Sequence, residues 1–84
     1  MYEFISINDL KIGETAFVHK LNITGKMRRR LLDIGLIEHT KLECIGKSPL
    51  GDPHAYLIRG AVIAIRLDDG KNILVIRGVN NDGK

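Results

Sequence analysis

The stretch TKLECIGKSPLGDPHAYLIRGAVIAIRL, residues 40–67, decides the fold. Ile, Leu and Val dominate residues 40–45, 55–59 and 61–67, and turn formers separate these runs. Short β-branched runs broken in this way predict successive antiparallel strands. Gly60, inside an otherwise continuous apolar run, predicts a bulge or sharp bend.

Working outward, residues 72–77 read as a further strand. Asp69-Gly70 ahead of it predicts a two-residue type I′ hairpin, a turn that needs positive φ at both central positions. Upstream, NITGKMRRRLLDIGL, residues 22–36, is the one helical pattern. Thr24 can cap its start. Met27, Leu31 and Ile34 then recur at i, i+4 and i+7 as a single apolar stripe. Gly35 suits the left-handed position after the helix, with Leu36 folding back on Leu31 in a Schellman ending. Residues 14–21 form the first strand, in which Ala16 and Val18 alternate with Thr15, Phe17 and His19. SINDLKIGE before it is a short packed turn holding Ile7, Leu10 and Ile12. From about residue 78 to residue 84 nothing is available to bury, which predicts a frayed tail.

Five short strands, with one short helix between the first two, predict one mainly β domain over residues 1–84. In so small a chain the sheet is expected to bend strongly into a barrel and remove its exposed edges.

Composition narrows the class of function. The chain is 44% hydrophobic and 27% charged with a formal charge of +3, values usual for a soluble globular protein. Its single cysteine, Cys44, cannot close an internal disulfide, and the N-terminus lacks a signal-peptide pattern, so a cytoplasmic location is expected. The longest apolar run, AVIAI at 61–65, is far short of the ~20 residues of a membrane helix. Lys26, Arg28, Arg29 and Arg30 concentrate positive charge on the helix.

The segments LKIGETAFV, RRRLLDIGL, SPLGDP, IRGAVIAIR and ILV, in this order, resemble the ferrous-iron transport protein A (FeoA) family. The resemblance runs from about Leu10 to Val75, and SPLGDP is its most specific part. It implies an SH3-like barrel, free-standing in the cytoplasm or fused to iron-dependent repressors. For a chain with room for this domain alone it implies the free-standing form, tied to bacterial ferrous-iron uptake. The partner so implied is the membrane transporter FeoB, which carries a cytosolic guanine-nucleotide-binding domain and would recruit the protein to the inner face of the membrane. Where the family usually has Pro-Gly after the helix this chain has Glu38-His39, which predicts a differently shaped turn.

No catalytic constellation or cofactor motif is present: GxxxxGK[ST] and GxGxxG are absent, and Cys44 lies in a strand pattern that buries it. His19, His39 and His54 are widely spaced, and Asp52 with His54 is the one close imidazole–carboxylate pair, so no metal site is expected and the histidines read as surface residues. An iron-sensing metal module is the first alternative. A nucleic-acid-binding barrel is the second, resting on the basic helix, but two Phe, two Tyr and no Trp make a poor stacking platform. Nucleic acid is therefore not an expected partner, nor is direct membrane insertion. The cations also diverge by about 100° per residue around a helix, as on a solvated face or one meeting an acidic protein.

The loop SPLGDP is the best candidate for recognition. Pro49 and Pro53 fix φ and remove two amide donors, so the loop is stiff. Leu50 and Gly51 at its tip either cap the barrel end or dock on a partner, and a stiff loop loses little entropy on docking. The expected function is a non-enzymatic module that docks on the transporter through Leu50, Gly51, Asp52, Pro53, Arg28 and Arg29 and modulates it.

Overall fold

The computed structural model describes residues 1–78, and the tail expected to fray lies outside these apart from Gly78. The elements in order are β1 (Tyr2–Ser6), a 3-10 turn (Ile7–Asp9), β2 (Thr15–Leu21), α1 (Gly25–Asp33), β3 (Lys41–Lys47), β4 (His54–Ile58), β5 (Ala61–Ile65), a one-turn α2 (Leu67–Gly70) and β6 (Ile73–Gly78). The strands form one antiparallel sheet in the order β1-β6-β2-β3-β4-β5.

The mainly β class and the helix hold, but there are six strands, not five. The extra one is β1, so α1 joins the second and third strands. β1 pairs with β6 from Tyr2↔Gly78 to Ser6↔Leu74, which places Gly78 in a strand and not in the tail. Among the described residues β1 and β5 remain the two edges of the ladder. Two register shifts, at His19 in β2 and Ile45 in β3, each insert one residue and bend the sheet around its core.

That core alternates as the strand period demands. Ala16, Val18, Leu42, Cys44, Tyr56, Ile58, Ile65, Ile73 and Val75 point inward and are buried. Ile7 and Leu10 close one side from the 3-10 turn, whereas Ile12 stays exposed. Leu31 of α1 is fully buried, with Met27 and Ile34 half-buried against the same cluster. Thr24 occupies the N-cap position but makes no side-chain cap bond. At the other end the Schellman ending is complete: Leu36 N–H donates to Leu31 O and Gly35 N–H to Leu32 O, both at 2.9 Å, with Gly35 at φ +91°.

Two turns differ from expectation. The two-residue turn of left-handed residues is Arg59-Gly60 (φ +51° and +84°), joining β4 to β5 through the pair Ile58↔Ala61. Asp69-Gly70 instead belongs to α2, because the chain must cross from β5 to β6, which are not neighbours. After the helix, Thr40 N–H donates to Ile37 O at 3.1 Å across Glu38-His39, and His39 alone of the two has positive φ (+74°). That is the type II arrangement favoured by Pro-Gly, so the departure in sequence changes the residues and not the kind of turn. The buried Thr40 hydroxyl locks it, accepting from Ile37 N–H and donating to Gly35 O.

A left-handed non-glycine residue costs roughly 1–2 kcal/mol, offset in a glycine by its larger unfolded-state entropy. His39→Gly is therefore expected to leave the melting temperature unchanged or slightly raised. His39→Val, β-branched in the same conformation, should lower it by several degrees, and equal midpoints would contradict the turn geometry.

Candidate recognition loop and basic helix

The SPLGDP loop is held by its own short bonds. Ser48 N–H donates to Pro53 O at 3.0 Å, and Gly51 N–H to Ser48 O at 2.7 Å. Gly51 takes φ +88°, and the Asp52–Pro53 peptide is cis. Asp52 Oδ1 accepts the Leu67 N–H at 3.1 Å, so this carboxylate ties the loop to the start of α2. At the apex Leu50 is 94% exposed, the most exposed large apolar side chain among the described residues. The barrel-capping reading of Leu50 is thereby corrected, because the core closes without it.

The basic helix divides by direction. Lys26, Met27 and Arg30 border the loop base at Pro53, together with Ala64, Arg66 and Asp69. Arg28 lies on another side of the helix, in a depression shared with Leu21, Leu32 and His39, where its Nη1 donates to Leu21 O at 3.0 Å. Arg29 is exposed beside Lys26, Arg30 and Asp33. Of the expected contact residues, Leu50, Gly51, Asp52 and Pro53 thus share one loop, while Arg28 is not brought to it. Sequence reasoning singled out Arg28 and Arg29, yet the helix cations at the loop base are Lys26 and Arg30. The i, i+4 spacing of that pair was the available signal.

Asp52 and His54 do not converge on a common point. While Asp52 engages α2, His54 is buried at 6% exposure, not on the surface, and its Nδ1 lies 3.4 Å from the Tyr56 hydroxyl. That hydroxyl donates to Ile7 O at 3.1 Å and fastens β4 to the 3-10 turn. His19 meets Phe4 in a tilted ring contact with centroids 4.7 Å apart. Among the described residues no three His, Cys, Asp or Glu side chains gather where a metal ion could be held. Cys44 is buried, as expected of a packed thiol.

A further ion cluster had no local sequence signal. Arg77 of β6 bridges Glu3 of β1, at 2.6 Å, and Glu14 ahead of β2, at 2.8 Å. The hydrogen bond to Glu3, above all, holds the guanidinium pKa above its ordinary value.

Burial, reinforced by the nearby Cys44 and Asp9, pushes the Tyr56 hydroxyl well above its ordinary pKa. The folded protein therefore holds this proton more tightly than the unfolded chain. Below about pH 10 that contribution to stability is fully present, and it is lost as pH rises from there toward the folded-state value. In a parent–variant comparison, Tyr56→Phe is expected to lower the melting temperature at pH 7, by loss of a buried hydrogen bond worth ~1 kcal/mol. The deficit should narrow above about pH 10, where the parent alone has this proton to lose. A deficit constant with pH would refute the assignment.

Among the described residues no helix is long and apolar enough to cross a membrane. The FeoA domain profile matches residues 5–77. The solution structure of a FeoA protein from Chlorobium tepidum superposes with a TM-score of 0.85 at 30% identity, covering 94% of this chain and 75% of that one. A FeoA-like protein from Clostridium acetobutylicum gives 0.81 at 30% identity, covering 100% and 98%. The zinc-complexed FeoA of Stenotrophomonas maltophilia, described as a prokaryotic SH3 domain protein, gives 0.69 at 21% identity over 84% and 88%, a likeness of fold. None of the curated proteins matches the chain. The six-stranded SH3-like sheet, the SPLGDP loop and a profile match over nearly every described residue agree: the chain belongs to the FeoA domain family, which is linked to ferrous-iron transport.

Proposed function

We propose that the protein is a non-enzymatic cytoplasmic accessory module of bacterial ferrous-iron uptake that docks on the cytosolic part of a FeoB-type transporter and modulates it. The observation that carries this reading is Leu50, an almost fully exposed leucine at the apex of a loop fixed by internal hydrogen bonds and by Asp52. Exposing an apolar side chain on a stiff support gains the domain nothing, and it prepares an anchor that loses little entropy on binding. Pro53 and Gly51 shape the loop. Arg29 and Arg28 supply exposed positive charge that steers an acidic partner toward it.

The reading is tested by titrating the cytosolic segments of the transporter from the same cell into isotopically labelled protein. Perturbation centred on residues 48–53, with weaker effects at Arg28 and Arg29, is the expected result. Binding that leaves this loop untouched, or no binding at all, overturns it.

A further inference from the structure

The edge strand β5 carries a second recognition feature. Its sequence, AVIAI, holds no charge, proline or bulge of the kind that ordinarily protects a sheet edge. The pair Ile58↔Ala61 flanks the two-residue turn and exchanges hydrogen bonds, as do Tyr56↔Ile63 and His54↔Ile65. Val62 and Ala64 fall at the alternate positions, so their N–H and C=O groups point away from β4. Both residues are exposed, and among the described residues neither takes part in any hydrogen bond beyond the sheet ladder.

Ala64 lines a groove whose opposite wall is α1. Lys26, Arg30 and Arg66 bring three cations to this groove against the single carboxylate of Asp69, and Met27 supplies an apolar surface. All three cations are exposed, and none is held in an ion pair among the described residues.

We infer that this groove takes an extended acidic segment of a partner protein, which adds to β5 as a further strand. Main-chain bonds to Val62 and Ala64 would provide the pairing, and the three cations would select carboxylates on alternate side chains. A second copy of the chain fits less well, since edge-to-edge pairing would bring two such cationic grooves together. The inference is independent of docking through Leu50, because its test uses no transporter.

The probe is a capped peptide of about six residues alternating glutamate and valine, near the usual strand length, titrated into the full chain labelled for amide NMR. The Val62 and Ala64 amides are expected to shift first and to become protected from exchange, and the loop at Leu50 to stay unmoved. A peptide N-methylated at alternate residues, or one with lysine for glutamate, should not bind. Ala64→Pro removes an edge donor without touching the ladder, and proline is tolerated on edge strands. Arg66→Glu and Lys26→Glu provide folded variants should that one not fold. Each is expected to weaken binding about tenfold or more, with steep salt dependence. Unchanged affinity in the folded variants, or shifts centred elsewhere, overturns the inference. Val62 and Ala64 shifts that depend on protein concentration without peptide would also overturn it, since the occupant would then be a second copy.

Discussion

Gly70→Ala is expected to destabilise the protein by about 2–4 kcal/mol, through overpacking together with the loss of a partly buried hydrogen bond. Gly70 is buried in α2 with an ordinary helical backbone, so no strain of φ is involved. The difficulty is space: an added Cβ would overlap Asn8 Oδ1 outright and come within 3.0 Å of Ile7 Cγ2. Asn8 cannot simply swing aside, because its Nδ2 donates to Leu67 O at 2.9 Å while Ser6 Oγ donates to Gly70 O at 3.0 Å. Ile7 is itself a fully buried core residue. For a domain of this size ~1 kcal/mol corresponds to about 4–8 °C, so the melting temperature should fall by about 8 °C or more. Gly78→Ala is the control, since no atom of the described residues lies within 4 Å of its added Cβ, and its midpoint should stay near the parent's. Similar midpoints for the two variants would show that α2 does not pack on the 3-10 turn as described.

The second large effect concerns binding. Leu50→Ala is expected to weaken docking on the transporter by about 1–3 kcal/mol, the range for loss of a buried leucine contact at an interface. Because the side chain is 94% exposed in the isolated domain, the variant should keep the parent's circular dichroism and melting temperature. Arg29→Ala should act differently, slowing association and reducing its salt dependence with little change in the dissociation rate. A Leu50→Ala protein that folds normally and binds as the parent does removes the loop from the interface.

Features written into consecutive residues were legible. The Schellman ending of α1 needs only Leu31, Leu32, Gly35 and Leu36, and its two backbone bonds close within them. The stiffness of SPLGDP was readable from Pro49 and Pro53, but whether Leu50 capped the barrel or projected was not, because that depends on how the core closes. What failed depended on partners far away in the chain. Asp69-Gly70 and Arg59-Gly60 look alike as dipeptides. The first is drawn into α2 because Asp52 meets Leu67 N–H and Gly70 packs on Asn8, neither of which is local. Tyr2–Ser6 carries little strand signal, since Tyr2 and Phe4 face outward and its partner is the last strand. The candidate site split in the same way. Leu50 could be found from its loop, whereas the bare edge of β5 depends on strand order, which no short window contains. The direction of each arginine followed from helical period, but not what the helix faces.

The position of β6 also governs the order in which the protein can be made. It lies between β1 and β2, so among the described residues β1 is held in the sheet by β6 alone. Synthesis runs from the N-terminus at about 5–20 residues per second, so β1 leaves the ribosome seconds before its partner exists. Until residues 73–78 emerge, Val18 and Ile5 have no strand between them to cover, and only the pairings from β2 through β5 are available to a nascent chain. Completion of the sheet therefore waits on β6, and a chain terminated before Ile73 would lack the strand that joins β1 to β2.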